Sequence, residues 1–253
     1  MTADASDLSF KVMTVNIHKG FTFFNRRFIL HELREAVRAV SADVVFLQEV
    51  LGTHAQHGTR FSNWTPVPHY EFLADSMWSD YAYGRNAVYP HGHHGNALLS
   101  KFPIVRYRNH DVSVSGPEPR GLLHCVLHVP ERGLEVHAIC VHLGLRESHR
   151  RRQLELLCEM VSREVPHGAP LLVAGDFNDW NERLDAPMRS IGLQRATLHG
   201  GGVRPTFPSR VPVFALDRVY MRGFRCLTQE VPRGAAWARM SDHLPLVVEL
   251  ALA

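Results

Sequence analysis

The sequence predicts an α/β protein in which two packed β-sheets carry helices on their outer faces. Short apolar runs rich in valine and bounded by Gly, Pro, Asn or Asp recur along the chain, as is typical of strands. Segments with helical periodicity occur early and late, and a long β-rich region lies between them. This distribution argues against a regular alternation of strand and helix.

Nine short apolar runs are predicted to form strands, and several of them are rich in valine and bounded by Gly, Pro, Asn or Asp. The predicted strands are FKVMTVNI (10–17), VVFLQEV (44–50), YAYGR (81–85), NALLSKF (96–102), HCVLHV (124–129), LEVHAICVHL (134–143), PLLVAGDF (170–177), ALDRVYM (215–221) and LPLVVELAL (244–252).

Three helices are predicted between these strands. Apolar residues at helical spacing define the first over 29–40 and the second over 154–165. The third is predicted to begin near Asp179, a good N-cap, and to end at Gly192. Residues 51–69 and 199–214 are predicted as long loops. Since there is no internal repeat or linker, residues 1–253 are expected to form one domain.

Composition indicates a folded protein, with 45% hydrophobic and 21% charged residues. The polar, acidic start lacks the pattern of a secretory signal, and the apolar runs are too short to be transmembrane segments, so we expect a cytoplasmic location. The four cysteines are widely spaced and are expected to be free thiols. A net charge of +3 is weaker than that of a dedicated nucleic-acid binder.

The motif GDFND (175–179) carries the strongest chemical signal. It follows the apolar run PLLVA, so Asp176 and Asn178 stand at the end of a buried strand and share one side if the chain stays extended. A carboxylate in such a place must be paired, hydrogen-bonded or metal-bound. The alternative is a helix cap, a role that Asp179 can fill.

Two further strand ends carry oxygen ligands. Glu49 ends VVFLQEV, and Asn16 ends MTVN. Mg²⁺ prefers one or two carboxylates together with water and substrate oxygens, so this pair suits a metal site. Taken singly, Glu49 could be a solvated strand-end residue and Asn16 a turn residue.

Two histidines and two aspartates lie in or next to the remaining strands. His142 follows the run ICV and could donate to a phosphate oxygen, although a lone histidine there is often structural. Asp217 lies within an apolar strand, and Asp242 and His243 precede the last strand. A carboxylate can fix the tautomer of a histidine, which makes His243 a candidate general base. A turn into the strand would explain Asp242 but not Asp217.

In this order, TVNIH, LQEV, GNALLS, VHLG, GDFND, LDRVY and SDHLP resemble the endonuclease/exonuclease/phosphatase superfamily of metal-dependent phosphoesterases along almost the whole chain. The segments FNRRF and YGRNAVYPHGHHGNALLS resemble a compact bacterial branch of that family. The resemblance implies a four-layer α/β/β/α sandwich with two mixed β-sheets.

The resemblance also implies a role for each matched residue. Glu49 and Asn16 would bind Mg²⁺ or Mn²⁺, with Asp242 near the metal. His142 would contact the phosphate, and Asn178 would hold water or phosphate. Asp176 would orient or activate the water, and His243, oriented by Asp217, would be the base or an electrostatic partner. Which of Asp176 and His243 takes the proton stays open, as does the number of metal ions.

The substrate is less constrained by the sequence. Arg85 and Asn96 flank the HGHHG segment (91–95) and are candidate phosphate contacts by position. The histidines of HGHHG could form a second metal site or a mobile polar loop. The run Arg150–Arg152 could contact a phosphate backbone, but three consecutive residues spread around a helix, so a solvated helix face is expected. Aromatic residues at 64, 78, 81 and 83 could form a wall beside the phosphate.

We therefore expect a monomeric phosphodiesterase or nuclease-type hydrolase. Its substrate would be a compact nucleic-acid or nucleotide-like phosphodiester. A phospholipid headgroup is an alternative substrate, and a non-catalytic binding protein is a further alternative.

Overall fold

The computed structural model describes residues 9–22, 27–75, 77–115, 118–198 and 201–253, and these form two six-stranded β-sheets. Residues 1–8, and residues 24–26 of the FNRRF segment, lie outside the described part. In spatial order, the first sheet consists of β11 (Phe224–Glu230), β12 (Leu246–Leu252), β1 (Ser9–Asn16), β2 (Val44–His54), β4 (Gly92–Ser100) and β3 (Asp80–Tyr89).

The second sheet is formed by the strands between those of the first. In spatial order it consists of β5 (Ile104–Asp111), β6 (Gly121–Val129), β7 (Leu134–His142), β8 (Leu171–Asp176), β10 (Asp217–Arg222) and β9 (Gln194–Arg195). The described helices are α1 (Leu30–Val40), α2 (His57–Arg60), α3 (His69–Ala74), α4 (Glu147–Glu164), α5 (Asp185–Ser190) and α6 (Trp237–Met240).

Each sheet is mixed because it contains one parallel pair. In the first sheet β1 and β2 are parallel and α1 connects them; in the second, β7 and β8 are parallel and α4 connects them. The other named strand pairs are antiparallel. A parallel pair needs such a crossover, and a helix is its usual form. The two crossovers account for the two helical patterns in the sequence.

Three apolar clusters hold these layers together. Alternate residues of a strand face opposite sides, so Val12 packs between the sheets whereas Met13 packs beneath α1. In the second sheet Leu172 faces the first sheet, and Val173 faces α4. Strands covered on both faces are apolar throughout, which explains the continuous hydrophobic runs. The predicted four-layer α/β/β/α sandwich is confirmed.

The third predicted helix is wrong in its start. The structure has only the short α5, and Asp179 does not cap it. Its carboxylate instead accepts hydrogen bonds from the buried Arg218 guanidinium at 2.7 Å and from the Leu184 N–H at 3.0 Å. Asn178 and Glu182 have φ values of 49° and 53°, a backbone conformation that does not belong to a right-handed helix.

Other segments also differ from the prediction. The HGHHG segment is not a polar loop, because His93 and His94 lie in β4. The predicted loop 51–69 begins inside β2 and contains α2. Strands β5 and β11 were not predicted, since both are edge strands with exposed polar residues. Among the described residues, no helix is both long and apolar enough to cross a membrane.

Candidate active site

Polar strand ends meet at one end of the sandwich. The carboxyl ends of parallel neighbours lie side by side, so Asn16 comes near Glu49, and His142 near Asp176. The antiparallel strands β10 and β12 start at the same end, and Asp217 is directly paired with Asp176. These ends enclose a cavity of about 190 Å³.

All of the predicted catalytic and metal-binding residues line this cavity except Asp217, which lies behind His243. The lining residues are Asn16, Glu49, Arg120, His142, Leu145, Asp176, Asn178, Trp180, Phe207, Leu216, Asp242 and His243.

A β-bulge directs Glu49 into the cavity. Leu47 pairs with Ala97 and Val50 with Gly95, so two residues of β2 stand opposite the single residue Asn96. Glu49 has a φ of 54°, which is uncommon for a residue other than glycine. Bulges of this kind reorient a side chain, and strained backbone of this kind collects at functional sites.

Glu49 is held as an anion. Burial opposes ionisation, but the Lys19 ammonium 3.0 Å from Oε2 outweighs it, and the pKa of Glu49 lies well below its ordinary value. A deprotonated carboxylate is the form that binds a metal ion. Lys19 was not identified from the sequence.

Asn16 connects the two sheets at the floor of the cavity. Its Nδ2 lies 3.5 Å from Oε1 of Glu49 and 3.3 Å from Oδ2 of Asp176, while its Oδ1 accepts the His18 N–H at 3.1 Å. The Ser241 hydroxyl donates to the backbone oxygen of Asn16 at 2.6 Å. Asn16 is therefore fixed in place from three directions.

His243 is oriented by Asp217. Nδ1 of His243 lies 2.8 Å from Oδ2 of Asp217, and the Thr206 hydroxyl donates to the same oxygen at 2.6 Å. This leaves Nε2 of His243 facing Asp176, 3.7 Å from Oδ2. The contact between Asp217 and His243 is the one that the sequence predicted, and Thr206 was missed.

Asp176 lies at the centre of the polar groups. Its Oδ1 accepts the Asn178 N–H at 2.9 Å, and its Oδ2 lies 3.5 Å from Nε2 of His142. The Asn178 side chain donates from Nδ2 to the Leu143 carbonyl at 2.9 Å. These contacts hold both residues of the GDFND motif at the cavity.

Burial and neighbouring charges separate the pKa values of the two histidines. Burial, aided by the Arg120 charge, lowers the pKa of His142 to about 4, so this imidazole is neutral at pH 7. Burial also opposes the charged form of His243, but Asp217 and Asp176 outweigh it and raise its pKa to about 10. Burial raises the pKa of Asp176. The cavity thus combines a neutral and a cationic imidazole.

Asp242 stands at the side of the cavity nearest to β1. Its Oδ1 lies 3.5 Å from Nδ1 of His18 and 3.2 Å from the Ser241 hydroxyl oxygen, whose proton goes to the Asn16 carbonyl. The side chain remains 21% exposed, so it is open to a water molecule or an ion in the cavity.

The predicted phosphate contacts Arg85 and Asn96 do not line the cavity. Arg85 is exposed on β3. Asn96 is buried, and its Nδ2 donates to the carbonyls of Gly121 at 3.0 Å and Cys140 at 3.3 Å. Arg120 does line the cavity, and no motif in the sequence pointed to it.

The expected solvated face of α4 is only partly solvated. Arg150 is buried and donates to the carbonyls of Gly144 and Leu145 at the start of α4, whereas Arg151 and Arg152 are exposed. Arg150 thus anchors the loop beside the cavity.

An aromatic wall borders the cavity, but it differs from the one that the sequence suggested. Trp180 contacts Phe207 and Phe214 with ring centroids 5.5 and 4.9 Å apart, and Phe207 lies 4.9 Å from the His243 ring. The residues at 64, 78, 81 and 83 do not line the cavity. For example, Trp78 is buried and donates its Nε1–H to the Ala42 carbonyl.

A second cavity of about 300 Å³ lies beside the first. Lys19, which contacts Glu49, is one of its walls. The remaining lining residues are Phe21, Leu51, His54, His57, Arg60, Phe61, Tyr89 and His94. This cavity combines apolar rings with cationic and imidazole groups.

The side chains of this cavity fit a hard divalent cation such as Mg²⁺ or Mn²⁺. Glu49 and Asp242 offer carboxylate oxygens. Asn16 directs its Nδ2 at Glu49 and Asp176 while its Oδ1 accepts the His18 N–H, so its amide would have to turn over to offer an oxygen to the ion. Among the described residues, three ligand atoms from His, Cys, Asp or Glu lie within 4.8 Å of one another at a group away from this cavity. The described residues of the cavity itself do not bring three such atoms this close together. A cation in this cavity would therefore depend on water and substrate oxygens to complete its shell, as Mg²⁺ commonly does.

Comparisons with known proteins identify the family. A family profile described as "Endonuclease/Exonuclease/phosphatase family" matches residues 13–243. The Escherichia coli K12 protein called "Uncharacterized protein YbhP" is 53% identical over 255 residues, which covers 100% of both chains.

Solved structures share the fold. An endonuclease/exonuclease/phosphatase from Beutenbergia cavernae gives a TM-score of 0.80 at 21% identity and covers 97% of this chain and 72% of its own. TDP2 of D. rerio, crystallised with a single-strand DNA product, gives a TM-score of 0.68 at 16% identity, with 96% and 99% of the chains covered.

Proposed function

Because the chain belongs to the endonuclease/exonuclease/phosphatase family, we propose that it hydrolyses a phosphodiester with the help of Mg²⁺ or Mn²⁺. Proteins of this family are generally hydrolytic phosphoesterases or nucleases and generally depend on a divalent metal ion. One observation carries the proposal: His243, backed by Asp217, points its Nε2 at Asp176 within the cavity that Glu49 and Asn16 also line.

Glu49 and Asn16 would hold the cation, with Asp242 beside it. When bound, the cation would neutralise charge on the phosphate oxygens. The neutral imidazole of His142 donates a hydrogen bond to a phosphate oxygen, and Asn178 positions water or phosphate. Fixed donors of this kind stabilise charge that develops at phosphorus, because they need no reorientation during the reaction.

In this proposal the Asp176 carboxylate takes the proton from the attacking water, and the cationic His243 donates a hydrogen bond from Nε2 and stabilises the negative charge that develops. Oδ2 of Asp176 and Nε2 of His243 lie 3.7 Å apart, so one water molecule can reach both. Asp217 holds the ring by its other nitrogen and keeps Nε2 directed at the water. Thr206 fixes Asp217 in turn.

The size of the cavities supports a compact substrate. A volume of about 190 Å³ is below the range of about 300–1,000 Å³ that is usual for small-molecule sites, so it accommodates the phosphate and the atoms next to it. The second cavity, of about 300 Å³, can accommodate one more group of the substrate. Phe21 or Tyr89 can contact an apolar or aromatic part of that group, and Arg60 can neutralise a negative charge on it. A short strand or a nucleotide-like diester meets these requirements. The single-strand DNA product in D. rerio TDP2 agrees with this substrate class.

A phospholipid headgroup is the second candidate substrate. Leu145 and Trp180 in the cavity wall are 56% and 37% exposed, and the neighbouring Phe214 is 41% exposed. Three apolar side chains open to solvent beside one cavity suit the apolar part of a lipid.

The test is a metal-dependent assay followed by a substrate panel. The purified protein should hydrolyse bis-p-nitrophenyl phosphate with Mg²⁺ or Mn²⁺ and lose this activity with EDTA. His243→Ala and Asp176→Asn should each lower the rate by at least 100-fold, whereas the exposed control His167→Ala should not change it. Equal rates in all four proteins would overturn the proposal.

Dinucleotides, short DNA and RNA strands, and phospholipid vesicles then separate the two candidate substrates. Turnover of the first group alone supports the nucleotide-like substrate, and turnover of lipid alone supports the second candidate. A folded protein that binds these compounds but hydrolyses none of them would be a binding protein, and the proposed activity would be wrong.

A further inference from the structure

A group of histidines lies on the outer face of the second sheet, at the far end of α4 from the catalytic cavity. His110 belongs to β5, His124 to β6 and His137 to β7, and Glu164 is the last residue of α4. Helix α4 begins close to Leu145 in the cavity wall and extends over 18 residues, about 27 Å at 1.5 Å per residue. The proposed phosphodiesterase chemistry does not involve this group.

Three ligand atoms of this group converge. The ring nitrogens of His110 and His124 and a carboxylate oxygen of Glu164 all lie within 4.8 Å of one another. Oε2 of Glu164 lies 3.1 Å from Nε2 of His110 and 3.8 Å from Nδ1 of His124. Two ligands of a tetrahedral zinc ion, each about 2.0–2.1 Å from the metal, stand roughly 3.3 Å apart, so the observed separations suit one ion.

Hydrogen bonding accounts for at most one contact of this group. Nε2 of His110 is buried and lies 3.1 Å from Oε2 of Glu164, which is within hydrogen-bond distance, but the contact does not meet the geometry of a good hydrogen bond. The 3.8 Å between His124 and Glu164 also exceeds the length of a hydrogen bond.

His137 supplies the outer contact that metal-binding histidines usually have. Its Nδ1 lies 2.9 Å from Nε2 of His124, which leaves Nδ1 of His124 directed at Glu164.

The surroundings leave one coordination position open. A cavity of about 320 Å³ is lined by His124 and Glu164 together with Arg106 and Arg108. Arg163 contacts Oε1 of Glu164 at 3.1 Å and leaves Oε2 to the histidines. The positive charge of the arginines disfavours a hard cation that is held only by charge. Two imidazoles and a carboxylate are ligands that Zn²⁺ prefers, so the group selects an ion of that kind.

We propose that His110, His124 and Glu164 bind a Zn²⁺ ion, with His137 orienting His124 and the fourth position open to the cavity. A carboxylate at the C-terminal end of a helix is disfavoured by the helix dipole, and a bound cation removes that penalty. The ion would join β5, β6 and α4.

The test is metal binding by the chelator-treated full chain. Zn²⁺ should bind and raise Tm, and Co²⁺ should give the visible absorption of a tetrahedral site. Glu164→Gln and His124→Ala should each weaken binding at this site by at least about 100-fold, and His137→Phe by about 10- to 100-fold. The matched control His128→Ala, on the same strand as His124, should bind as the wild type does.

Glu49→Gln distinguishes this site from the catalytic cavity, because it should leave the Co²⁺ spectrum unchanged. Glu164 is partly exposed, so Glu164→Gln should fold even if His124→Ala does not. Zn²⁺ affinity and Co²⁺ absorption that are the same in the wild type and Glu164→Gln would overturn the proposal. So would a signal that is lost with Glu49→Gln.

Discussion

The contact between Asp217 and His243 gives a sharp test of the catalytic geometry. Two donors converge on Oδ2 of Asp217, the His243 ring at 2.8 Å and the Thr206 hydroxyl at 2.6 Å. In Asp217→Asn the amide oxygen takes this place, because the amide nitrogen would face two donors. The substitution therefore keeps both hydrogen bonds, removes the negative charge and places the amide nitrogen at the buried Oδ1 position, where no hydrogen-bond partner is present.

We expect Asp217→Asn to lower kcat by about 100- to 1,000-fold. This corresponds to about 2.7–4.1 kcal/mol of transition-state stabilisation at 1.36 kcal/mol per tenfold. Thr206→Val removes one hydrogen bond and keeps the charge, so its effect should be only about 3- to 10-fold.

The assay is hydrolysis of bis-p-nitrophenyl phosphate at saturating Mg²⁺, with Tm measured for each variant. A Tm within a few degrees of the wild type shows that the fold is intact. If Asp217→Asn keeps kcat within about twofold of the wild type, the charge of Asp217 is not used and the reasoning fails.

Three further predictions follow from other parts of the molecule. Glu49→Gln should raise the Mg²⁺ concentration needed for half-maximal activity by about tenfold or more, with partial recovery in Mn²⁺, and unchanged metal dependence in a metal titration would contradict the role of Glu49. Hydrolysis of a small diester should fall by less than about threefold between roughly 50 and 200 mM salt, because few phosphates are contacted; efficient, salt-sensitive cleavage of long duplex DNA without turnover of small diesters would contradict it. His69 is buried against Phe28 and Trp64, and burial lowers its pKa to about 3, so the unfolded chain takes up a proton below pH 6.5 that the folded chain does not. The free energy of unfolding therefore decreases as pH falls from about 6.5 towards 3, by up to about 1.4 kcal/mol per pH unit. Urea titrations at pH 7 and 4.5 should show a smaller decrease in the free energy of unfolding for His69→Leu than for the wild type or the exposed control His167→Leu.

The central site could be predicted because of where its residues stand along the chain. Asn16, His142 and Asp176 each end an apolar run, and the carboxyl ends of parallel strands are neighbours in a sheet. A polar residue at such a place costs energy unless it has a partner. A single sequence therefore contains enough information to bring these residues together.

Other residues of the site gave no such signal. Lys19 and Arg120 lie outside apolar runs, and Thr206 lies in a segment without regular structure. Their importance depends on contacts over long separations, such as the Arg120 charge beside His142. Trp180 follows directly after GDFND, but its exposure beside the cavity is visible only in the fold.

The errors in the fold have a similar origin. Asp179 looked like a helix cap because sequence alone does not reveal the buried Arg218 that contacts it. The HGHHG segment was interpreted as a loop because its residues are polar, and a short sequence pattern does not reveal which strands it pairs with. The pairing of β4 with both β2 and β3 makes that segment a strand.

The topology has a consequence for the order in which the protein is made. All strands of the second sheet come from the continuous stretch 104–222, whereas the first sheet needs both the beginning and the end of the described chain. Strand β12 pairs on one side with β1, where Ser9 faces Ala251, and on the other side with β11. The first sheet is therefore in two parts until β12 inserts between them.

On the ribosome, the second sheet can be complete while the first still lacks a central strand. Asp242 and His243 directly precede β12, so the candidate active-site cavity is complete only after this last step. Pairing between residues more than 200 positions apart is also slow, which makes this insertion the expected rate-limiting event of folding.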